Sequence, residues 1–560
     1  MADINYYKLV EENAEERKDL TDRQDADVLL RNLDSYVMKD IKNVEMSGVV
    51  NVTLNRPKVV ANYIIAALSN TSEQILVESE EKDFDPDYIK DFRRLAFAAA
   101  DARLRQRNMW RLNPYLDEQT CMRGGDAVRC YFQMVDGVLQ PDIAYWDYRY
   151  VNYAPSSNGL AWASFGYGTK RKKAVIESES WWEKSSKPNI SKAAEVVDIL
   201  TPEVNEIWIE GKKVFDQEND MVWPDGTKYV PVVIQEVSIG SMLSDADDLE
   251  NHGESVFFLI RQVIPELNRV ISIIQTHNLL TIKRPIQTPA PEGRIATPPK
   301  YEDVTDPGAS SSTEPGNRTE AINLGDITNA TQIALARIDR ALEEGGLSVS
   351  QLGLLGDPAA SGIALIQSKE GRDIIYLPRL KTKAETKQAL GDMITAQVMQ
   401  IGGTVEIGTP GHKRQFDTRK LEGQYEVTHK FSVKSLAIDA GLASLAAAYG
   451  NSMSEHSKRR EIYQMDDPDG EERWLSYEEA GRIVPSIKLA RLAEDLIALD
   501  KNDEAQMVAD FAQVQLEQLL SGGVESAKPE PKKEPTQLVG LFSGATGKGK
   551  GNPPATEEVK

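Results

Sequence analysis

The stretch GESVFFLIRQVIPELNRVISIIQTHNLL, Gly253–Leu280, decides how the rest of the chain is read. Val256, Ile260, Val263, Leu267, Val270 and Ile274 recur at the helical period, and Phe257, Ile264 and Ile271 form a second stripe beside them. An unbroken helix of roughly 27 residues, Glu254 to Leu280, would be on the order of 40 Å long. Pro265 lies inside it, yet both stripes stay in register across the proline, which predicts a kink there rather than a break. Two apolar stripes on one long helix fit burial against two neighbours, as in a ring or bundle. They fit a central core helix of a large domain equally well, and the pattern alone leaves both open.

Downstream, Pro285 to Pro315 also holds Pro289, Pro291, Pro298, Pro299 and Pro307, with Ser310-Ser-Ser-Thr313 among them. Such a segment is not helix and forms at most short edge strands. Asp326 then reads as the cap of a helix over Ile327–Glu344, stopped by Gly345-Gly346. Leu347–Ala360 is a small-residue loop with Asp357 as its sole charge. A third helical stretch, Gly362–Gln400, is expected to be interrupted at Pro378. Val405–Val433 alternates like strands, and Ala437–Leu520 is helical in texture. Beyond it, Pro, Gly and charged residues without core formers predict disorder over 521–560.

Upstream, Asp22–Lys42 carries Val28, Leu29, Leu33, Tyr36 and Val37 near a helical period. Asp85 caps a longer amphipathic helix with Pro86 at its first position. Ile89, Phe92, Leu95, Ala96, Ala99 and Leu104 make its apolar face, and Arg93, Arg94, Arg103, Arg105 and Arg107 are expected on the rest. Gly124-Gly125 ends that texture. From Ala127 to Val233, short aromatic-rich alternating runs read as strands, with turns at Pro155–Gly159 and Pro224–Gly226.

A chain of 560 residues exceeds one compact core, so two or more structural regions are expected. Apolar content of 41% and charged content of 27% are ordinary for a folded soluble protein. Cys121 and Cys130 cannot make a disulfide framework and read as reduced thiols, with one bridge between them as the alternative. Met1-Ala-Asp-Ile-Asn5 shows no leader pattern, and no apolar run suits a bilayer span, so no membrane partner is expected. The net charge of −22 argues against tight nucleic-acid binding, which needs cations for phosphates. It is compatible with a channel that DNA slides through without sticking.

The order of parts is a mixed α/β region, long helix, Pro-rich excursion, returning helix, Gly-flanked loop, long helix, strands and helical C-terminus. This order resembles the portal family of tailed bacteriophages, nearest to the portals of short-tailed phages. Gly253-Glu-Ser-Val256 is similar to the family's entry into its first stem helix. Pro358-Ala-Ala-Ser-Gly-Ile-Ala-Leu365 is similar to the junction after its tunnel loop, and Asp147-Tyr-Arg-Tyr-Val151 with Trp162 to its wing strands. The likeness spans roughly residues 20 to 520.

The resemblance implies an α+β, predominantly helical portal fold closing into a ring around an axial channel. Its parts would be a wing over 1–250, stem helix 1 over 251–283, a clip over 284–325 and stem helix 2 over 326–346. A tunnel loop over 347–360, further wing over 361–436, a helical crown over 437–520 and the tail 521–560 would complete it. Leu347, Ser348, Gln351, Leu354 and Leu355 would face DNA in the tunnel. Val256, Ile260, Val263, Leu267, Ile271, Ile274 and Ile338 would form the stem interface between subunits. Implied partners are eleven further copies, double-stranded DNA, a separate terminase ATPase (its large subunit), a tail adaptor, and the major capsid and scaffolding proteins. The place implied is the unique capsid vertex of a virion assembled in the host cytoplasm.

Other chemistry is weaker. The five histidines are scattered, so no zinc spacing is formed and no metal or other cofactor is expected. Asp466-Asp-Pro-Asp-Gly470 lacks the closing Glu of a calcium loop, and Gly544-Ala-Thr-Gly-Lys-Gly549 lacks the first Gly and the Ser/Thr of a phosphate loop. Lys170-Arg-Lys-Lys173 is the densest basic run and reads either as a solvated turn or as a contact with DNA. No nucleophile–base or dinucleotide constellation is present, and a non-enzymatic role is expected. Two rivals stand beside the portal reading: an intracellular enzyme with Pro285–Pro315 as a lid, and another ring-forming head–tail adaptor.

Overall fold

The alternation of Val128, Cys130 and Phe132 puts all three on one face of a strand, and all three are buried in the computed structural model. The structure describes residues 4–81, 84–135, 138–282, 284, 286–292, 310–313, 320–321, 328–345, 362–409, 411–433, 443, 446–463, 468–498 and 502–512. The chain divides into two units, one of Met1–Ser454 with Glu461–Tyr463, the other of Glu455–Arg460 with Gln464–Lys560.

The larger unit opens with α1 (Tyr6–Glu16), α2 (Lys18–Asn32), α3 (Arg56–Ser69) and β1 (Thr71–Ser79). The helix expected over Asp22–Lys42 ends ten residues early, because Leu33 takes the left-handed conformation at φ 60°. Next come α4 (Pro86–Gln106) and α5 (Leu112–Met122), then β2 (Gly125–Val135) and β3 (Val138–Trp146). Asp85 caps α4 as expected, its carboxylate accepting from the Tyr88 amide at 3.2 Å.

The strand-rich region continues with β4 (Val151–Ser156), β5 (Gly159–Gly166), β6 (Arg171–Lys172), α6 (Lys173–Glu177), β7 (Ala193–Ala194), β8 (Val196–Leu200), β9 (Val204–Ile209), β10 (Lys212–Glu218) and β11 (Val232–Glu236). Strands pair in a sheet of order β11-β2-β3 and another of order β10-β9-β8-β5-β4. The first is buried on both faces. Val128, Cys130 and Phe132 meet Phe92, Leu95, Leu390 and Ile394, while Ala127 meets Trp146, Phe165 and Val232.

The next elements are α7 (Val263–Ile282), β12 (Ile286–Pro289), β13 (Ser310–Thr313), β14 (Glu320–Ala321), α8 (Thr328–Gly345) and α9 (Gly362–Ile401). Then β15 (Thr404–Thr409) pairs β16 (His412–Asp417), and β17 (Tyr425–Val433) returns to pair antiparallel with β1. In the smaller unit, α10 (Pro468–Ile483), α11 (Pro485–Ala498) and α12 (Asn502–Phe511) bear out the helical texture. Ala493, Ala505 and Ala509 there are fully buried, as close helix packing requires.

Helix α9 runs through Pro378 without interruption, contrary to expectation. A proline there removes one backbone donor. Arg379 answers nearby by donating its guanidinium to the Ile375 carbonyl at 2.6 Å and the Glu254 carbonyl at 3.2 Å. Four and eight residues on, Lys383 and Lys387 lie on the same buried side. Lys383 meets Asp117 at 2.8 Å, and Lys387 meets Glu73 at 2.7 Å. Glu73 also contacts His429 Nδ1 at 2.9 Å. Burial pushes the Glu73 carboxyl up, but His429 and Lys387 outweigh it and hold the group at about 2.

Asp126 is the opposite case. Burial pushes its carboxyl up to about 8, against one hydrogen bond donated by Thr386 at 2.8 Å. The folded protein therefore holds a proton that the unfolded chain releases near its ordinary value of 3.8. Stability from this group is full below that value and declines as pH rises to about 8. In urea titrations, wild type minus Asp126→Asn should lose about 1.4 kcal/mol per pH unit across that window. A flat difference would show that the carboxyl is ionised when folded.

Candidate functional site

The long apolar stretch does not become one rod. Residues 256–262 form turns, and α7 begins at Val263 with Pro265 in its first turn. Proline needs no amide partner there, so the expected kink is instead a helix start. The helix is 20 residues, about 30 Å. Ser255 fixes the turn before it, its hydroxyl accepting from the Phe257 amide at 3.1 Å and donating to Asp27 at 2.7 Å.

Helix α8 returns antiparallel to α7, since Gly345 at its end lies against Leu259 and Ile260 before the start of α7. A Cβ on Gly345 would meet each of them at 3.1 Å, so this close approach favours glycine. Between the helices, β12 is flanked by parallel β13 and antiparallel β14. The Pro-rich excursion thus carries short strands, as expected, and the rest of it lies outside the described residues.

The expected stem-interface residues divide into two groups. Val256, Ile260 and Leu267 are buried in their own chain, packed with Ile64, Leu68 and Leu342, so they do not face a neighbour. Their periodicity reports an inward face against α3, α8 and α9. Val263, Ile271, Ile274 and Ile338 are half-buried and keep one side open. Sequence reasoning missed several exposed apolar residues here: Leu259, Ile333, Ile374 at 70% and Leu377 at 56%. Their signal was present in part, because each falls off the inward stripe. Of the tunnel loop, Leu347, Ser348, Gln351, Leu354 and Leu355 lie outside the described residues.

An unforeseen arm supports the stem. The amides of Val50, Val52 and Leu54 donate to Thr276 at 2.9 Å, Ser272 at 2.9 Å and Asn268 at 3.1 Å. Two residues of extended chain advance about 6.6 Å and four of helix about 6.0 Å, so the two ladders match. A second tie joins α2 to the stem entry. Arg261 bonds Asp27 at 2.6 Å and Glu254 at 2.5 Å, and Arg23 reaches Glu254 at 3.3 Å. Asp27 is fully buried, so removing Arg261 would leave it uncompensated. These ties hold Gly253-Glu-Ser-Val256 rigidly at the head of the stem.

The basic run Lys170–Lys173 spans β6 and the first residue of α6, and most of its charges are paired within the chain. Lys170 pairs with Glu210 at 3.0 Å, Arg171 with Glu179, and Lys173 with Glu177 at 3.7 Å. Lys172 is exposed at the end of two-residue β6. Arg93, expected on the outer face of α4, is also buried, bonded to Asp392 at 2.6 Å. Cys121 and Cys130 are free, buried thiols, and burial pushes Cys121 up to about 12. Among the described residues, no cluster of His, Cys, Asp or Glu could hold a metal, and no helix is long and apolar enough to cross a membrane.

No family model matches the chain, and no curated protein matches it. Two solved structures are similar to it over 72% of this chain and 88% of theirs. One is the neck of an empty GTA particle computed with C6 symmetry, at 12% identity and a TM-score of 0.35. The other is the neck of the native GTA particle computed with C12 symmetry, at 11% identity and a TM-score of 0.33. Overlap that loose transfers neither fold nor function.

Proposed function

We propose that the chain is the portal subunit of a tailed-phage head–tail connector, assembling into a ring at one capsid vertex. One observation carries this reading. Two antiparallel helices leave and rejoin an α/β body, bracket a short-stranded excursion, and are followed by a 40-residue helix that re-enters the core. An inter-helix excursion of this kind suits an exposed docking edge for a packaging ATPase and later a tail adaptor. The small-residue segment Leu347–Ala360, at the other end of α8, would line the bore.

In this role the protein does mechanical work for other machines and catalyses no reaction itself. Double-stranded DNA passes through the channel in both packaging and ejection. The charge of −22 serves that passage, because net repulsion keeps a sliding polyanion from adsorbing. Capsid and scaffolding proteins would surround the wing.

The test addresses the DNA path. Replacing Gln351 and Leu354 together with lysine adds two positive charges per subunit to a loop whose sole charge is Asp357. Every new lysine–phosphate pair there releases counterions, so retention in the bore becomes strong and salt-dependent. Normal procapsids with about tenfold less packaged DNA or infectivity, relieved by added salt, is the expected result. Unchanged packaging and infectivity at low salt would remove the loop from the DNA path.

A further inference from the structure

Two exposed patches of opposite charge lie on the larger unit, and neither is covered by its described residues. The first is the turn after α4. From Ala102 to Leu116 there is no acidic residue, but there are four arginines and no lysine. Residues 105–111 are all exposed, Trp110 at 77%. The turn is nonetheless rigid. Asn108 adopts φ 56°, the Met109 amide donates to the Leu104 carbonyl at 2.9 Å, and Tyr145 donates to the Trp110 carbonyl at 2.8 Å. An exposed Trp on preorganised backbone, flanked by Met109 and arginines, has the composition of an interface hot spot.

The second patch is the loop Ser241–Asn251. No lysine or arginine occurs between Lys228 and Arg261. The loop exposes Met242 at 72% and Leu243 at 60%, beside the exposed carboxylates Asp245 and Glu250. Its ends are pinned, Ser241 donating its amide to the Asn251 carbonyl at 3.0 Å. Arg105, Arg111, Asp245 and Glu250 form no ion pair among the described residues.

We propose that the Arg105–Arg111 turn of one subunit docks on the Ser241–Asn251 loop of the next copy. This inference rests on the ring reading above. A ring of identical chains joins head to tail, so each chain carries two different and mutually complementary patches. Here both members pair an apolar anchor with charge, and the signs are opposite. A polyanion such as DNA fits the first patch less well. The exposed Trp–Met centre contributes nothing to phosphate contact, whereas it fits an apolar partner.

Sedimentation velocity at low salt tests the pairing on full-length chain. The variants are Arg105→Glu with Arg111→Glu, Asp245→Arg with Glu250→Arg, and all four together. Each two-site reversal sets like charges face to face and should raise the concentration for half-assembly at least about tenfold. The four-site variant should return to within about threefold of wild type. Below the concentration for wild-type assembly, melting midpoints should stay near wild type in all three, because every substituted side chain is exposed. Rings that ignore both reversals, or a four-site variant that does not recover, would overturn the proposal. So would intact rings whose arginine variant loses only DNA retention, which would assign the turn to a polyanion. A monomeric wild type would instead overturn the ring reading itself.

Discussion

Replacing Lys383 with alanine is expected to remove about 3–5 kcal/mol of stability. The ammonium lies 2.8 Å from Asp117, and the two side chains are 2% and 1% exposed. It also sits over the Phe431 ring at 4.6 Å from the centroid. Alanine leaves the carboxylate buried with one hydrogen bond, donated by Ser69 at 3.2 Å. Burial already pushes the Asp117 carboxyl above its ordinary value, with Lys383 the chief opposing influence. Without Lys383 the group is pushed further up and takes a proton, so the loss should grow as pH rises. Lys383→Met combined with Asp117→Leu should recover most of it, because an apolar pair needs no desolvated charge. Urea unfolding of the three proteins measures this. A single-site loss below about 1 kcal/mol would mean that α9 does not thread the core as described.

Gly124→Ala is expected to cost about 3 kcal/mol or more and to loosen the head of the stem. Gly124 has φ +72°, and a Cβ there would lie 1.4 Å from the Gly253 carbonyl oxygen. Gly253 has φ +52°, and its own Cβ would lie 2.4 Å from the Gly124 oxygen. Neither backbone can retreat freely. The Gly124 carbonyl accepts from Val237 at 2.9 Å, and the Gly253 carbonyl accepts from Arg23 at 3.0 Å. Gly226→Ala is the control, since Gly226 also has positive φ but a Cβ there would meet nothing within 4 Å. It should lose only about 1 kcal/mol. Equal thermal shifts in the two variants would contradict the glycine-on-glycine crossing.

Local signals carried much of the fold. Asp85-Pro86, the alternation through Val128–Phe132 and the prolines after Pro285 act through backbone chemistry within a few residues, and each element formed where expected. Sequence reasoning missed α3, although Val60, Ala61, Ile64 and Leu68 behind Pro57 make its pattern equally clear. The stem was only half legible. Apolar periodicity reports which side chains are buried, not whether the backbone stays helical, so Val256–Leu267 mimicked a single rod. Buried charge was the least legible. Arg93, Lys383 and Lys387 sit at helical spacing like any solvated face, and their partners Asp392, Asp117 and Glu73 lie hundreds of residues away.

The stem assignment also changes how the ring is to be probed. Aspartate at Leu267 would disrupt the chain's own core before any neighbour felt it, whereas Ile374 and Leu377 are open to a partner. The central claim is that the chain closes into a ring around a channel. Native mass measurement of the purified full-length protein, with negative-stain images down the symmetry axis, tests it most directly. The account predicts a particle near twelve times the 62.2 kDa chain, with a stain-filled central hole. A stable monomer or dimer at micromolar concentration, with no annular views, would contradict it.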